Sequence, residues 1–115
     1  PVVSDFKILK NAGVQEKESF HPLRWFSLEQ NYPNPFNPTT TIRFKLPNRE
    51  RVWLAVYNSL GEQIRTLTLN TLNGGTHTIV WDGTNDIGKR VQSGLFFFRL
   101  QTKEGALQRK MVLLR

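Results

Sequence analysis

Thr39-Thr40-Thr41-Ile42-Arg43-Phe44-Lys45-Leu46 alternates polar and apolar residues without a break after its opening threonines. In an extended chain successive side chains point to opposite faces, so Ile42, Phe44 and Leu46 share one face and Thr41, Arg43 and Lys45 the other. This predicts a half-buried strand, ended by Pro47-Asn48. Val52, Leu54 and Val56 repeat the pattern, but Trp53, Ala55 and Tyr57 opposite them are apolar too. That strand is expected to be central, with its second face partly covered. Asn58-Ser59-Leu60-Gly61 predicts a turn, Gln63 to Leu69 a returning strand, and Asn73-Gly74-Gly75 another turn. His77, Ile79 and Trp81 then alternate with Thr78 and Val80. After the polar loop Asp82 to Lys89, an aromatic strand is expected from Gly94 to Thr102, with a tight turn at Lys103-Glu104-Gly105. A last strand runs from Leu107 to Arg115. About six to seven short strands joined at hairpin spacing predict an all-β fold, a small antiparallel β-sandwich.

Composition agrees. In 115 residues there are ten Thr and eight Phe but three Ala, a bias toward strands and away from helices. All six prolines lie at or before Pro47, which leaves the later strands free to pair. The length suits one domain, and no apolar run approaches the roughly 18 residues of a membrane-spanning helix. The opening residues lack the basic-then-apolar order of a signal peptide, so the chain is expected to be a processed protein or part of a longer one. With no cysteine, disulfides, thiolate metal sites and cysteine nucleophiles are excluded. A net charge of +7 favours anionic partners in general, but the basic residues are scattered and form no stripe, and no nucleic-acid partner is expected.

Residues 1–27 read as a linker or N-terminal arm and residues 28–115 as the β-sandwich domain. Between them and the first clear strand lies Asn31-Tyr32-Pro33-Asn34-Pro35-Phe36-Asn37-Pro38. Its prolines forbid a helix or a central strand. A rigid, irregular lead-in is expected, with Tyr32 and Phe36 plugged into the core.

The residues offer little chemistry, and no catalytic residue is assigned. His77 sits on an alternating strand face, where a histidine bonding a turn is the better reading; His21 lies in the arm without a placed partner. Asp82 and Asp86 share one loop, whereas glycoside hydrolysis needs carboxylates on opposed sides of a substrate. Asp82, Asn85 and Asp86 concentrate oxygens and could bind calcium, but Glu62 and Glu104, the nearest glutamates, are 20 and 18 residues from that loop. Asx-turn bonding is the favoured explanation, and no metal or cofactor is assigned. Trp25, Trp53, Trp81 and Phe96 to Phe98 could stack on sugar rings; in alternating strands, core packing is the stronger expectation.

The run Tyr32-Pro33-Asn34-Pro35-Phe36-Asn37-Pro38-Thr39-Thr40-Thr41-Ile42 resembles the type A C-terminal sorting domains of cargo for the type IX secretion system, a family of Bacteroidetes and relatives. That family is in turn related to the immunoglobulin-like domain of the flagellar hook-capping protein. The likeness continues through Val56-Tyr57-Asn58, Gly75-Thr76-His77, Trp81-Asp82-Gly83, Ser93-Gly94-Leu95-Phe96 and Lys110-Met111-Val112-Leu113-Leu114-Arg115. It covers about residues 28 to 115, in order. The resemblance implies an immunoglobulin-like sandwich that marks attached cargo for export across the outer membrane. A sortase-like protease would then usually remove it, and the cargo would be released or anchored at the cell surface. It also implies that Gly94 and Phe96, with Lys110, Met111, Val112, Leu113, Leu114 and Arg115, carry recognition. Tyr32, Pro33, Asn34, Pro35, Phe36, Trp81, Asp82 and Gly83 would be structural motif positions. Where the family usually has Gly-X-Tyr, this chain has Gly94-Leu95-Phe96 and lacks a hydroxyl.

The leading expectation is thus a non-enzymatic secretion signal, secreted or at the cell surface by way of the periplasm. Its partners would be the translocon, the sortase-like protease and an upstream cargo domain. A signal read on a folded domain needs an exposed edge, which a final strand would offer. The alternatives are a structural or adhesive subunit that self-associates through its arm or an edge strand, and a carbohydrate-binding accessory module.

Overall fold

The computed structural model describes residues 26–115. The seven strands among them are β1 (Ser27–Leu28), β2 (Thr40–Leu46), β3 (Glu50–Asn58), β4 (Gln63–Leu72), β5 (Gly75–Trp81), β6 (Gly94–Thr102) and β7 (Gly105–Leu113). The described residues contain no helix. They form two sheets, one of order β1-β2-β5 and one of order β4-β3-β6-β7. Every strand pairing is antiparallel. The fold is therefore an all-β antiparallel sandwich, as its alternation predicts, and it has the immunoglobulin-like form that the resemblance implies.

The inward residues of both sheets meet in one core. Ile42, Phe44 and Leu46 come from β2, Val52, Leu54 and Val56 from β3, Phe98 and Leu100 from β6, and Met111 and Leu113 from β7. Burying each of these side chains contributes about 1.5–3 kcal/mol, which lets a small domain hold together without disulfides. Strand β3 is central, between β4 and β6, as expected. Its outward side is partly covered, as expected: Ala55 is buried, while Trp53, expected in the core, keeps 37% of its surface exposed. Among the described residues no third layer packs on that face, so Trp53 is flanked by neighbouring strands rather than roofed. Glu50 opens β3 with its side chain buried, and its Oε1 has no hydrogen-bond partner among the described residues.

The expected arm, residues 1–27, lies outside the described residues except for its last two, and with it Trp25 and His21. Ser27, at the arm's end, already pairs with Lys45. The His77 expectation holds: its Nε2 lies 2.7 Å from the Asn73 carbonyl oxygen, within the turn before β5, and its ring stacks on Phe44.

The proline-rich lead-in is irregular, as its composition demands, and is pinned by polar contacts. Asn31 is buried and donates from Nδ2 to Thr40 Oγ1 (2.9 Å) and to the Pro33 carbonyl (3.1 Å). Thr40 Oγ1 donates to the same carbonyl at 2.8 Å. Of the two aromatic plugs expected here, only Phe36 is one, with 2% of its surface exposed. Tyr32 is 80% exposed. Its backbone exchanges two hydrogen bonds with Thr41, at 3.0 and 2.9 Å, and this pairing leaves the ring in solvent.

Candidate functional site

The residues marked by the sequence come from four separate segments, and the fold gathers them at one end of the sandwich. Strands β6 and β7 pair without a register shift over nine positions. That register sets Gly94 opposite Leu113, Leu95 opposite Val112 and Phe96 opposite Met111. The two stretches expected to carry recognition are thus cross-strand neighbours.

Phe36 lies in parallel beside Leu113. Its N–H donates to the Val112 carbonyl and its carbonyl accepts from the Leu114 N–H, both at 2.9 Å. Asn34 Oδ1 accepts from the Val112 N–H at 2.9 Å. Below this seam, Trp81 is fully buried and packs against Phe36 on one side and Phe96 on the other, with centroids 5.6 and 5.5 Å away. The T-shaped Trp81–Phe96 contact is a favoured aromatic arrangement. Trp81 Nε1 donates to the Thr84 carbonyl at 2.9 Å, so the indole's polar group is satisfied in the core.

Arg115 closes the end. Its backbone N–H donates to Ser93 Oγ (2.8 Å), its Nε to the Val91 carbonyl, and its Nη2 to the Gly83 carbonyl (2.8 Å). Gly83 has φ +76° and is buried; a Cβ there would sit 2.8 Å from Arg115 Nη2 and 3.2 Å from the Pro38 carbonyl. Both the left-handed backbone and the close approach of the guanidinium require glycine. In the segment 110–115, Met111 and Leu113 are therefore core anchors, while Lys110, Leu114 and Arg115 present polar or apolar surface outside.

Strand β7 is an edge, as expected of the last strand, but half of that edge is occupied. From Lys110 to Leu114 its outward groups meet Gln30, Asn34 and Phe36; Gln30 Nε2 donates to the Lys110 carbonyl at 2.6 Å. No periodicity reveals these partners. An asparagine before a proline signals local turn bonding, and here Asn34 reaches 78 positions along the chain instead.

In the loop after β5, Asp82, Asn85 and Asp86 turn their oxygens to protein donors. Asp82 Oδ1 accepts from the Thr84 hydroxyl and N–H. Asn85 Oδ1 accepts from the N–H groups of Ile87 (3.1 Å) and Lys89 (3.0 Å). Asp86 Oδ1 accepts from the Thr66 N–H at 2.9 Å, tying the loop to β4. The Asp82 and Asn85 bonds are Asx turns, the bonding that the sequence favours for this loop, whereas the Asp86 bond reaches another strand. The hydrogen bond from the Thr84 hydroxyl holds the Asp82 carboxyl below the ordinary carboxylate value against a small opposing effect of burial, helped by the Thr84 N–H and the charge of Arg65. Among the described residues no cluster of three or more His, Asp or Glu could hold a metal ion.

A two-sheet antiparallel sandwich with a packed aromatic end and a braced edge strand defines an immunoglobulin-like domain. More particularly, the family described as FlgD Ig-like domain matches residues 33–106, well over half of the chain, and the protein belongs to that family. Among solved structures, FlgD from P. aeruginosa superposes with a TM-score of 0.54 at 26% identity, over 64% of this chain and 61% of that one. Dimeric latent PorU from Porphyromonas gingivalis gives a TM-score of 0.64 at 18% identity, over 85% of this chain and 10% of that one. At that identity the likeness to PorU is one of fold. PorZ from the same organism, a surface component of the type IX secretion system, aligns over 81% of this chain and 12% of its own, with 17% identity and a TM-score of 0.49. The chain thus spans about a tenth of PorU and under two thirds of FlgD. No curated protein sequence matches it.

Proposed function

We propose that this domain is a sorting signal of the type IX secretion system, directing an attached cargo across the outer membrane and having no catalytic activity of its own. The observation that carries the reading is the register of β6 against β7. It places Gly94 and Phe96, the second motif of the resemblance, directly beside the terminal motif Lys110 to Arg115. Gly94 and the exposed Lys110, Leu114 and Arg115 form one surface, held from beneath by the buried Phe96, Met111 and Leu113 and braced by Phe36, Trp81 and Gly83. A receptor for such a surface reads a folded domain. Met111 and Leu113 fix the strand, and Lys110, Leu114 and Arg115 are what it meets. Membership of the FlgD Ig-like family and a fold shared with part of PorU support the same reading. On this proposal the partners are the translocon and a sortase-like protease, and the cargo ends up secreted or at the cell surface.

The test fuses the chain to the C-terminus of a periplasmically exported reporter in a type IX-competent host. Extracellular reporter is expected from the intact fusion and none from a translocon-deficient strain. Deleting Lys110 to Arg115 abolishes export, and Lys110→Ala reduces it without moving the melting curve. Normal extracellular reporter from the deletion, at equal expression, overturns the proposal.

A further inference from the structure

Among the described residues the sandwich has three long edge strands, and they are finished differently. Strand β4 breaks register with β3 between Leu54 and Ala55 and between Val56 and Tyr57. The loop after β5 also covers it: Asp86 Oδ1 accepts from Thr66 N–H, and Asp86 N–H donates to the Ile64 carbonyl. Bulges and covering loops are two ways of blunting an edge. Strand β5 carries no charged side chain along its edge. Strand β7 is straight through nine pairs and, among the described residues, is covered only from Lys110 onward.

The bonds of Val112 and Leu114 to Asn34 and Phe36 show which groups of β7 face outward. By the two-residue repeat, the N–H and C=O of Ala106 and Gln108 and the N–H of Lys110 face the same way. Beside this uncovered half lies an open groove of about 590 Å³, lined by Gln30, Leu95, Phe97, Gln108, Arg109 and Lys110. Leu95 and Phe97 supply apolar surface. Strands β6 and β7 carry Arg99, Arg109 and Lys110 and no acidic residue. Arg109 also donates from Nε to the Leu28 carbonyl at 2.7 Å, which fixes its position at the groove wall.

We infer that the uncovered half of β7, with its groove, is a docking site for an extended acidic peptide, added as a further strand beside Ala106 to Lys110. Main-chain bonds to Gln108 and Lys110 give the peptide its register, and strand alternation sets its carboxylates on the outer face with Lys110 and its apolar side chains on the inner face beside Leu107. The other half of the same edge already accepts an extended segment in this way, through Phe36. A second copy of this edge is disfavoured, because it would gather Arg109 and Lys110 twice over with no negative group to meet them. The inference holds whether or not the domain directs export.

The test uses the full 115-residue chain and a fluorescein-labelled peptide of about nine residues alternating Glu and Val, at roughly 50 mM salt. Fluorescence anisotropy is expected to show saturable binding, roughly tenfold tighter than that of a Lys–Val peptide of equal length. Gln108→Pro removes one outward donor from an edge strand, where proline is tolerated, and is expected to weaken binding roughly tenfold with an unchanged melting curve. Amide exchange at Gln108 slows on binding, while Val112, already bonded, does not respond. Should Gln108→Pro unfold the chain, Lys110→Glu gives the same readout by weakening the Glu–Val peptide and strengthening the Lys–Val one. Equal binding of the two peptides, indifference to these substitutions or an unchanged Gln108 exchange rate overturns the inference. So does self-association that protects Gln108 without peptide, or an oligogalacturonate that binds as tightly as the peptide and ignores Gln108→Pro.

Discussion

Replacing Trp81 by alanine removes the largest fully buried side chain of the described core. The indole fills the space between Phe36 and Phe96 at the end of β5. Large-to-small changes of this kind cost about 3–5 kcal/mol, because transfer free energy and the residual cavity add. Losing the Nε1–H bond to the Thr84 carbonyl adds about 1 kcal/mol. A domain of this size has about 5–15 kcal/mol in total, so the loss takes about a quarter of it or more. Trp81→Phe separates the two contributions: an aromatic ring stays between Phe36 and Phe96, the hydrogen bond goes, and the expected loss is about 1–3 kcal/mol. Urea unfolding followed by far-UV circular dichroism is the assay, since Trp53 stays half in solvent and confuses fluorescence. With an m-value of about 2 kcal/mol per molar, Trp81→Ala moves the midpoint down by roughly 2–3 M or leaves the chain unfolded at zero urea. A loss below about 1 kcal/mol in Trp81→Ala would refute the assignment of this residue as the keystone of the packed end.

Gly83→Ala is expected to cost about 1–2 kcal/mol for the left-handed backbone and to displace the Arg115 guanidinium. A double-mutant cycle with Arg115→Ala should therefore be non-additive, and simple additivity would separate the two residues. Glu50→Met replaces a buried carboxylate that has an unpartnered oxygen, and is expected to stabilise by about 1 kcal/mol, read as a rise in Tm of about 4–8 °C. Asp82 has a folded-state pKa below its unfolded value, so its stabilisation is present above the unfolded value and is lost as pH falls through the folded one. Asp82→Asn should accordingly melt below the parent chain near pH 6, with the difference closing as pH drops below about 4; a gap independent of pH would contradict this.

Strand positions were legible because half-buried strands write their burial into alternate residues, as in Ile42, Phe44 and Leu46. The turns at Gly61, Gly75 and Gly105 were legible because each needs positive φ. Trp53 and Tyr32 were misread for a shared reason. An apolar residue on a strand signals burial only when something covers that face, and coverage is a property of the assembled layers. Which motif residues would meet was open at the sequence level. The register of β6 on β7 follows from their hairpin turn at Lys103-Glu104, and so do the contacts of Gly94 and Phe96 with the final strand. The Arg115–Gly83 and Asn34–Val112 bonds are side chain to backbone across the whole fold, and neither leaves a periodic trace.

The bond between Asn34 and Val112 spans 78 positions. On a ribosome, the lead-in segment is made early and waits for its partner until nearly all of the domain has been synthesised. Hairpins such as β6–β7 close locally and quickly, whereas this seam pays loop-closure entropy over most of the domain and forms late. Until it forms, Phe36 has no place beside Leu113, and the aromatic end stays open. The order of synthesis therefore delays completion of this end until the segment after Lys110 has emerged, so a nascent chain cannot display the finished surface early.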